Sequence, residues 1–202
     1  MKIKYVEGDL FDPILAYKKS GTILVPHVVN CKGAFGAGFV VPLARTFPVV
    51  RERYIEWADS KGYDIAHSKN PHFGLGQTQF VLAQEGTSVT AHTVVVQDGI
   101  SLSAKQETIP FIYVCNMCAQ TLGGPRPLFY NHLVACMEQV AEFSLKHESP
   151  RIVCPLFGSD LAGGSLEVIL PLIQDIWTRK NIPVTIHYLK GKLTQSLQER
   201  FV

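Results

Sequence analysis

Apolar residues fall into short runs that alternate with longer amphipathic stretches. Strand signals occupy 3–6, 23–29, 78–83, 93–96, 111–115, 151–155 and 184–189, several of them near-continuous apolar runs rich in Val and Ile. Runs of this length without polar alternation predict strands covered on both faces. Between them lie segments of helical period. In 128–146, Phe129, Leu133, Cys136, Met137 and Val140 share one face, and Pro127 occupies the expected first helical position. From 165 to 180, Leu166, Ile169, Ile173, Ile176 and Trp177 form a stripe behind Ser165, a predicted N-cap. Pro171 inside that stretch predicts a kink or a later start. Segment 51–61 collects Val50, Tyr54, Ile55 and Trp57 on one side, and 39–46 reads as a helix with Pro42 in its first turn. Strands alternating with helices predict an α/β domain with a mostly parallel sheet between helical layers. Residues 86–108 are polar and irregular and read as a hairpin or surface insertion, and 193–202 as a short terminal helix or tail. Repeats and low-complexity tracts are absent, and 202 residues suit one domain over 1–202.

Composition narrows the class. Hydrophobic content of 47% with 18% charged residues fits a folded globular chain. A net charge of +2 without a basic stripe argues against a nucleic-acid groove, while leaving room for an anionic ligand. No apolar stretch reaches membrane-span length, and the first residues lack a signal-peptide core, so no membrane partner and a cytoplasmic location are expected. Five cysteines, an odd number set mostly among apolar residues, predict reduced core thiols. Cys115 and Cys118 have metal or redox spacing but no second pair, and on a strand they point to opposite faces. No metal and no cofactor are expected.

The candidate chemistry lies in two glycine-rich turns, each between a strand and a helix. The first is Gly33-Ala34-Phe35-Gly36-Ala37-Gly38, running into Phe39. The second is Gly158-Ser159-Asp160-Leu161-Ala162-Gly163-Gly164, after Cys154-Pro155 and Leu156-Phe157. Glycines let main chain approach a ligand closely, and outward amides at a helix start suit phosphate. A tight turn without ligand is the alternative. Two such units in one parallel sheet place both turns at the carboxyl edge, where α/β folds bind ligands. Neither turn is followed by Gly-Lys-Ser/Thr, so a Walker A site is excluded.

These segments together resemble the macro domain, the ADP-ribose-binding fold. The likeness runs through Gly8-Asp9-Leu10, His27-Val28-Val29-Asn30-Cys31 with the first glycine turn, Tyr113 to Met117, Arg151 to Pro155, the second turn, and Val184 to Tyr188. The first turn is most similar to the branch of small ADP-ribose-1''-phosphate phosphatases and terminal ADP-ribose-protein glycohydrolases. The resemblance implies a three-layer α/β/α sandwich with a mixed, mostly parallel sheet. It implies as ligand ADP-ribose or an ADP-ribosylated or 1''-phosphorylated derivative, and as activity hydrolysis at the distal ribose, with a non-catalytic reader as the alternative. Asp9 would accept from the adenine amino group, or simply form a turn. Asn30 would hold distal ribose hydroxyls, or bond only main chain. The turns 33–39 and 158–163 would supply amides to the phosphates, Gly36 being the position where a Cβ should block the ligand. Phe35 or Phe157 would cover the distal ribose, or belong to the core, and Tyr188 would wall the adenine.

For proton transfer the resemblance points to His27, beside which a buried, main-chain-bonded histidine is the equal alternative. Asp160 is the second candidate. Its carboxylate near a diphosphate would turn outward, repel the ligand, or act as acid/base; like charges ~4 Å apart cost about 4 kcal/mol at an effective dielectric of ~20. Where the glycohydrolase branch carries a lysine after the middle strand, this chain has Asn116-Met117-Cys118, which argues against a covalent lysine intermediate.

Overall fold

Strand β2 (Thr22–Asn30) is buried at every residue but Val28, which is why its apolar run shows no alternation. It is the fourth strand of a six-stranded sheet ordered β1-β8-β7-β2-β6-β3, with β1 Lys4–Glu7, β3 Thr78–Gln84, β6 Phe111–Gln120, β7 Pro150–Pro155 and β8 Val184–Tyr188. Every pairing is parallel except that of edge strand β3 with β6. The computed structural model describes residues 2–60, 74–87, 95–97, 100–102 and 108–194. His67, His72 and His92, much of 86–108 and residues 195–202 lie outside them. Within 86–108, β4 (Val95–Gln97) pairs antiparallel with β5 (Ile100–Leu102).

Helices cover both faces. Leu10, Phe11 and Ile14 at α1 (Phe11–Leu15), Val40 and Leu43 of α2 (Val40–Thr46), and Val50, Tyr54 and Ala58 of α3 (Pro48–Ser60) pack on Ile23, Val25, Ile112 and Val114. On the other face, Leu133, Met137 and Val140 of α4 (Tyr130–Leu145) and Ile169, Leu170 and Ile173 of α5 (Leu166–Ile176) pack on Leu24, Met117, Ile152 and Ile186. Trp177 is fully buried there and donates from Nε1 to the Met137 carbonyl at 2.9 Å. All five cysteines are buried and none is in a disulfide, Cys115 lying under one helical layer and Cys118 under the other.

Several local expectations need correcting. Ser165 does cap α5, accepting from Glu167 N at 3.2 Å, but the helix starts at Leu166 and runs through Pro171, so there is no later start. Pro127 precedes α4 by three residues, because Leu128 bridges back to Gln120 and Phe129 is the N-cap. Strand β6 continues five residues past Cys115.

The site is set by a break in the sheet. β2 and β7 pair only at Thr22–Pro150, Ile23–Arg151 and Leu24–Ile152. Beyond Leu24, β2 keeps β6 as partner to Asn30, while Val153 to Pro155 keep β8. Pro26, which has no N–H to give a neighbour, lies just past the last shared pair. The two strands part there, and the helices after them go to opposite faces. This is the switch point at which α/β sheets open a crevice.

Candidate functional site

The first turn is braced from within. Asn30 Oδ1 accepts from Lys32 N (2.9 Å) and Ala34 N (3.1 Å), and its Nδ2 donates to Ala34 O (2.6 Å). Tyr54, buried in α3, donates its hydroxyl to Asn30 O at 2.5 Å. Gly33 and Gly38 hold φ of 69° and 71°, which side chains rarely adopt. The second turn folds onto itself: Gly164 N donates to Gly158 O (2.8 Å) and Gly163 N to Asp160 O (2.9 Å). A Cβ on Gly164 would lie 2.5 Å from Gly158 O, and one on Gly163 would lie 2.6 Å from Pro125 O. These last two glycines therefore close the loop.

The turns meet at one edge of the sheet: a Cβ on Gly38 would come within 3.2 Å of Leu161 Cδ1. Between them and the ends of β1 and β8 runs a cleft of two adjoining lobes. The larger, about 310 Å³, is lined by Gly8, Asp9, Leu10 and Phe11, by Gly38, Phe39 and Pro42, by Pro155, Leu156, Ser159 and Asp160, and by His187, Tyr188, Leu189 and Lys192. The smaller, about 130 Å³, reaches His27 and Val28 and is walled by 37–40, Gln120, 155–158 and 160–162, Phe157 among them. Gly38, Phe39, Pro155, Leu156 and Asp160 border both.

Asn30, Gly33, Ala34, Phe35, Gly36 and Gly163 border neither lobe. Asn30 has its amide committed to its own loop. Phe35 is buried against Tyr54, with ring centroids 5.1 Å apart. A Cβ on Gly36 would meet no protein atom within 4 Å and Gly36 lies off both lobes, whereas Gly38 borders both and a Cβ there would approach Leu161. Phe157, though it borders the smaller lobe, is buried against Trp177 at 5.9 Å. Phe11, Pro42, Leu156, His187, Leu189 and Lys192 join the site unforeseen. Phe11 stacks on Phe39 at 5.5 Å and 9°, making one wall. Only the sheet order brings β8 and the residues after it beside β1, so no local pattern marks Leu189 or Lys192.

Charge in the cleft is sparse. Asp9 accepts from Phe11 N at 3.2 Å, the turn bond, and still borders the larger lobe. Asp160 pairs with Lys192 at 2.9 Å, both side chains more than half exposed. Among the described residues no group of three or more His, Cys, Asp or Glu could hold a metal ion, and no helix is long and apolar enough to cross a membrane.

His27 is 1% exposed and its Nε2 lies 2.6 Å from Asn116 Oδ1. Burial pushes its pKa down to about 4, with the Asn116 bond and the Val28 main chain pulling the other way. The ring is therefore neutral at pH 7, with no second proton to give. His187 is likewise pushed below its ordinary value by burial, against the opposing Asp9 and Gly8 main chain and the Asp9 charge.

No protein-family model matches the chain. It is 30% identical over 83 residues to an ADP-ribose 1''-phosphate phosphatase of Meyerozyma guilliermondii, covering 41% of this chain and 42% of that protein, so the chain spans less than half of the curated relative it matches. Among solved structures, a macrodomain protein from Streptomyces coelicolor superposes with a TM-score of 0.61 at 27% identity, over 92% of this chain and 98% of that one. Thermosipho africanus DarTG, solved in complex with ADP-ribose, gives 0.63 at 16% identity, over 99% of this chain and 45% of that one. The chain has the macrodomain fold. The sheet is mixed and mostly parallel, with helices on both faces, as the resemblance implies.

The buried imidazole leaves a pH signature. Above about pH 6.5 an unfolded histidine is already neutral, so burying it carries no proton-linked cost. Between about 6.5 and about 4 the unfolded chain binds a proton that folded His27 refuses, so stability falls as pH falls. Denaturation by urea at about pH 7.5 and about pH 4.5 should show His27→Asn losing about 2–3 kcal/mol less than the unsubstituted chain across that interval. Equal losses would exclude a buried neutral ring.

Proposed function

We propose that this protein binds ADP-ribose, or a derivative carrying a phosphate or ester on the distal ribose, along the two-lobed cleft, and hydrolyses that distal group. The observation that carries the reading is the cleft at the parting of β2 and β7, bordered by both glycine turns. Its larger lobe sets apolar walls, Leu10, Phe11, Phe39 and Tyr188, beside the Asp9 carboxylate, with Asp160 paired to Lys192 also on its border. That combination suits a flat base with an exocyclic amino group: the rings bury apolar area while Asp9 accepts the N–H. The diphosphate then crosses Gly38 and the second turn, where positive φ and the lack of Cβ bring main chain close. The distal ribose enters the smaller lobe, over His27. A structural neighbour solved with ADP-ribose and a partial relative named for ADP-ribose 1''-phosphate support the assignment.

For turnover, the chain offers a neutral imidazole and a main-chain pocket for developing charge. His27 accepts a proton from water rather than giving one, and so weak a base leaves most of the rate enhancement to preorganised dipoles. A second reading, binding without turnover, is favoured by the pairing of Asp160 with Lys192 and by Asn116 standing where the glycohydrolase branch has lysine. Release of phosphate from ADP-ribose-1''-phosphate, lost in His27→Ala while ADP-ribose binding weakens only about fivefold, supports hydrolysis. Binding without release in the unsubstituted protein supports the reader. A cytoplasmic location is proposed with either reading, on the strength of five buried cysteines, none of them in a disulfide.

Calorimetry with ADP-ribose tests the cleft. Gly38→Val should abolish binding, because φ of 71° and Leu161 leave no room for a side chain, whereas Gly36→Ala should leave affinity within about twofold. Loss in both, or in neither, counts against the assigned path. Lys192 is the one cation among the described residues lining either lobe. Lys192→Gln should therefore weaken ADP-ribose binding, leaving Asp160 uncompensated, and Asp160→Asn should tighten it, both effects shrinking as salt is raised. Tighter binding in Lys192→Gln would show that the ion pair obstructs the ligand.

A further inference from the structure

Three polar side chains stand in one row across the sheet. His27 on β2 is in register with Asn116 on β6, and Asn116 with Gln79 on β3. His27 and Asn116 are almost wholly buried, so each polar atom needs a partner. An amide side chain can be turned either way with little change in shape, so its orientation must come from its neighbours. Here it comes from the Arg53 carbonyl in α3, which only accepts. Gln79 offers it Nε2 at 2.7 Å. Gln79 Oε1 is thereby left to accept Asn116 Nδ2 at 2.9 Å. Asn116 in turn presents Oδ1 to His27 Nε2 at 2.6 Å. An acceptor at that position requires a proton on Nε2. In the neutral ring Nδ1 is then a bare lone pair, and it is buried without a hydrogen bond of ordinary geometry, although the Val28 main chain acts on the ring.

We propose that Gln79 and Asn116 are positioning residues that hold His27, which borders the smaller lobe, in the Nε2–H tautomer, so that Nδ1, covered from solvent in this structure, is left as the ring's acceptor for a ligand hydroxyl or a water once the lobe is filled. The tautomer follows from the row alone; what Nδ1 accepts rests on the ADP-ribose reading. The row also explains why a histidine, an asparagine and a glutamine sit at matched positions of three neighbouring strands. Each satisfies the next, and the chain of bonds ends on a main-chain group that cannot reverse.

Long-range proton–nitrogen correlation spectra of the ¹⁵N-labelled protein read the tautomer directly, with the His27 signals assigned by their loss in His27→Asn. The unsubstituted protein should show a single pattern with Nε2 protonated and Nδ1 unprotonated. A protonated Nδ1, or two patterns in exchange, overturns the proposal before any positioning variant is made. Gln79→Leu frees Asn116 to turn, and should produce a mixture of tautomers and ADP-ribose binding weakened about fivefold, the worth of one neutral hydrogen bond. Gln79→Glu keeps an acceptor for Asn116 and should restore the single pattern. An unchanged spectrum in Gln79→Leu overturns the relay. Addition of ADP-ribose should shift the Nδ1 resonance; binding seen by calorimetry with no such shift overturns the acceptor role. Absence of binding altogether overturns the ADP-ribose reading and that role with it, while the tautomer pattern stands on its own.

Discussion

The parting of β2 from β7 after Leu24 and Ile152 is the constraint on which the rest of the molecule depends. A parallel sheet paired to its ends would bring the following loops together at one strand spacing and leave nothing between them. Here each strand keeps its outer neighbour and releases its inner one, with Pro26 unable to donate across the gap. The connections then leave to opposite helical layers, and the space they vacate is the cleft. Burial on both faces holds this arrangement, because turning either strand back would expose a continuous apolar run to water.

The glycines of the two turns divide by the job they do. Gly33, Gly163 and Gly164 shape the loops: one takes a positive φ beneath the Asn30 brace, and the others fit where a Cβ would strike a carbonyl oxygen. Gly38 and Gly158 combine positive φ with a place on the cleft wall. Asn30 belongs with the first group. Its amide links three main-chain groups of its own turn, so it acts on the cleft only by holding the turn in shape.

This division marks how far the sequence could be read. The layers, the mostly parallel sheet and the two glycine turns were legible because double-sided burial and turn chemistry are local patterns. What Gly36 does against what Gly38 does was not, since both follow Ala or Phe in the same motif and differ only in φ and in what faces them. Strand β6 read as ending at Cys115 because Asn116 breaks its apolar run; the asparagine is tolerated inside the sheet by partners on two other strands. Helix α1 went unread, being five residues long with Pro13 at its third position. The Lys192 contact with Asp160 joins two segments thirty-two residues apart and has no local signature at all.

The charges of the cleft bear on how it recognises an anion. Two carboxylates, Asp9 and Asp160, and one ammonium, Lys192, border it, so side chains give the lining no positive excess. A diphosphate held by lysines and arginines would be gripped by point charges that water and salt screen strongly at an exposed site. Main chain brought close by glycine offers fixed dipoles instead, which need no reorganisation and place no rotamer-rich side chain in the gap. On that account Lys192 works chiefly by cancelling Asp160, and the selectivity of the site comes from shape. On the proposed ADP-ribose reading, a ligand whose charged middle is narrow, with a flat base at one end and a small polar ring at the other, would fill both lobes without setting a carboxylate against a phosphate.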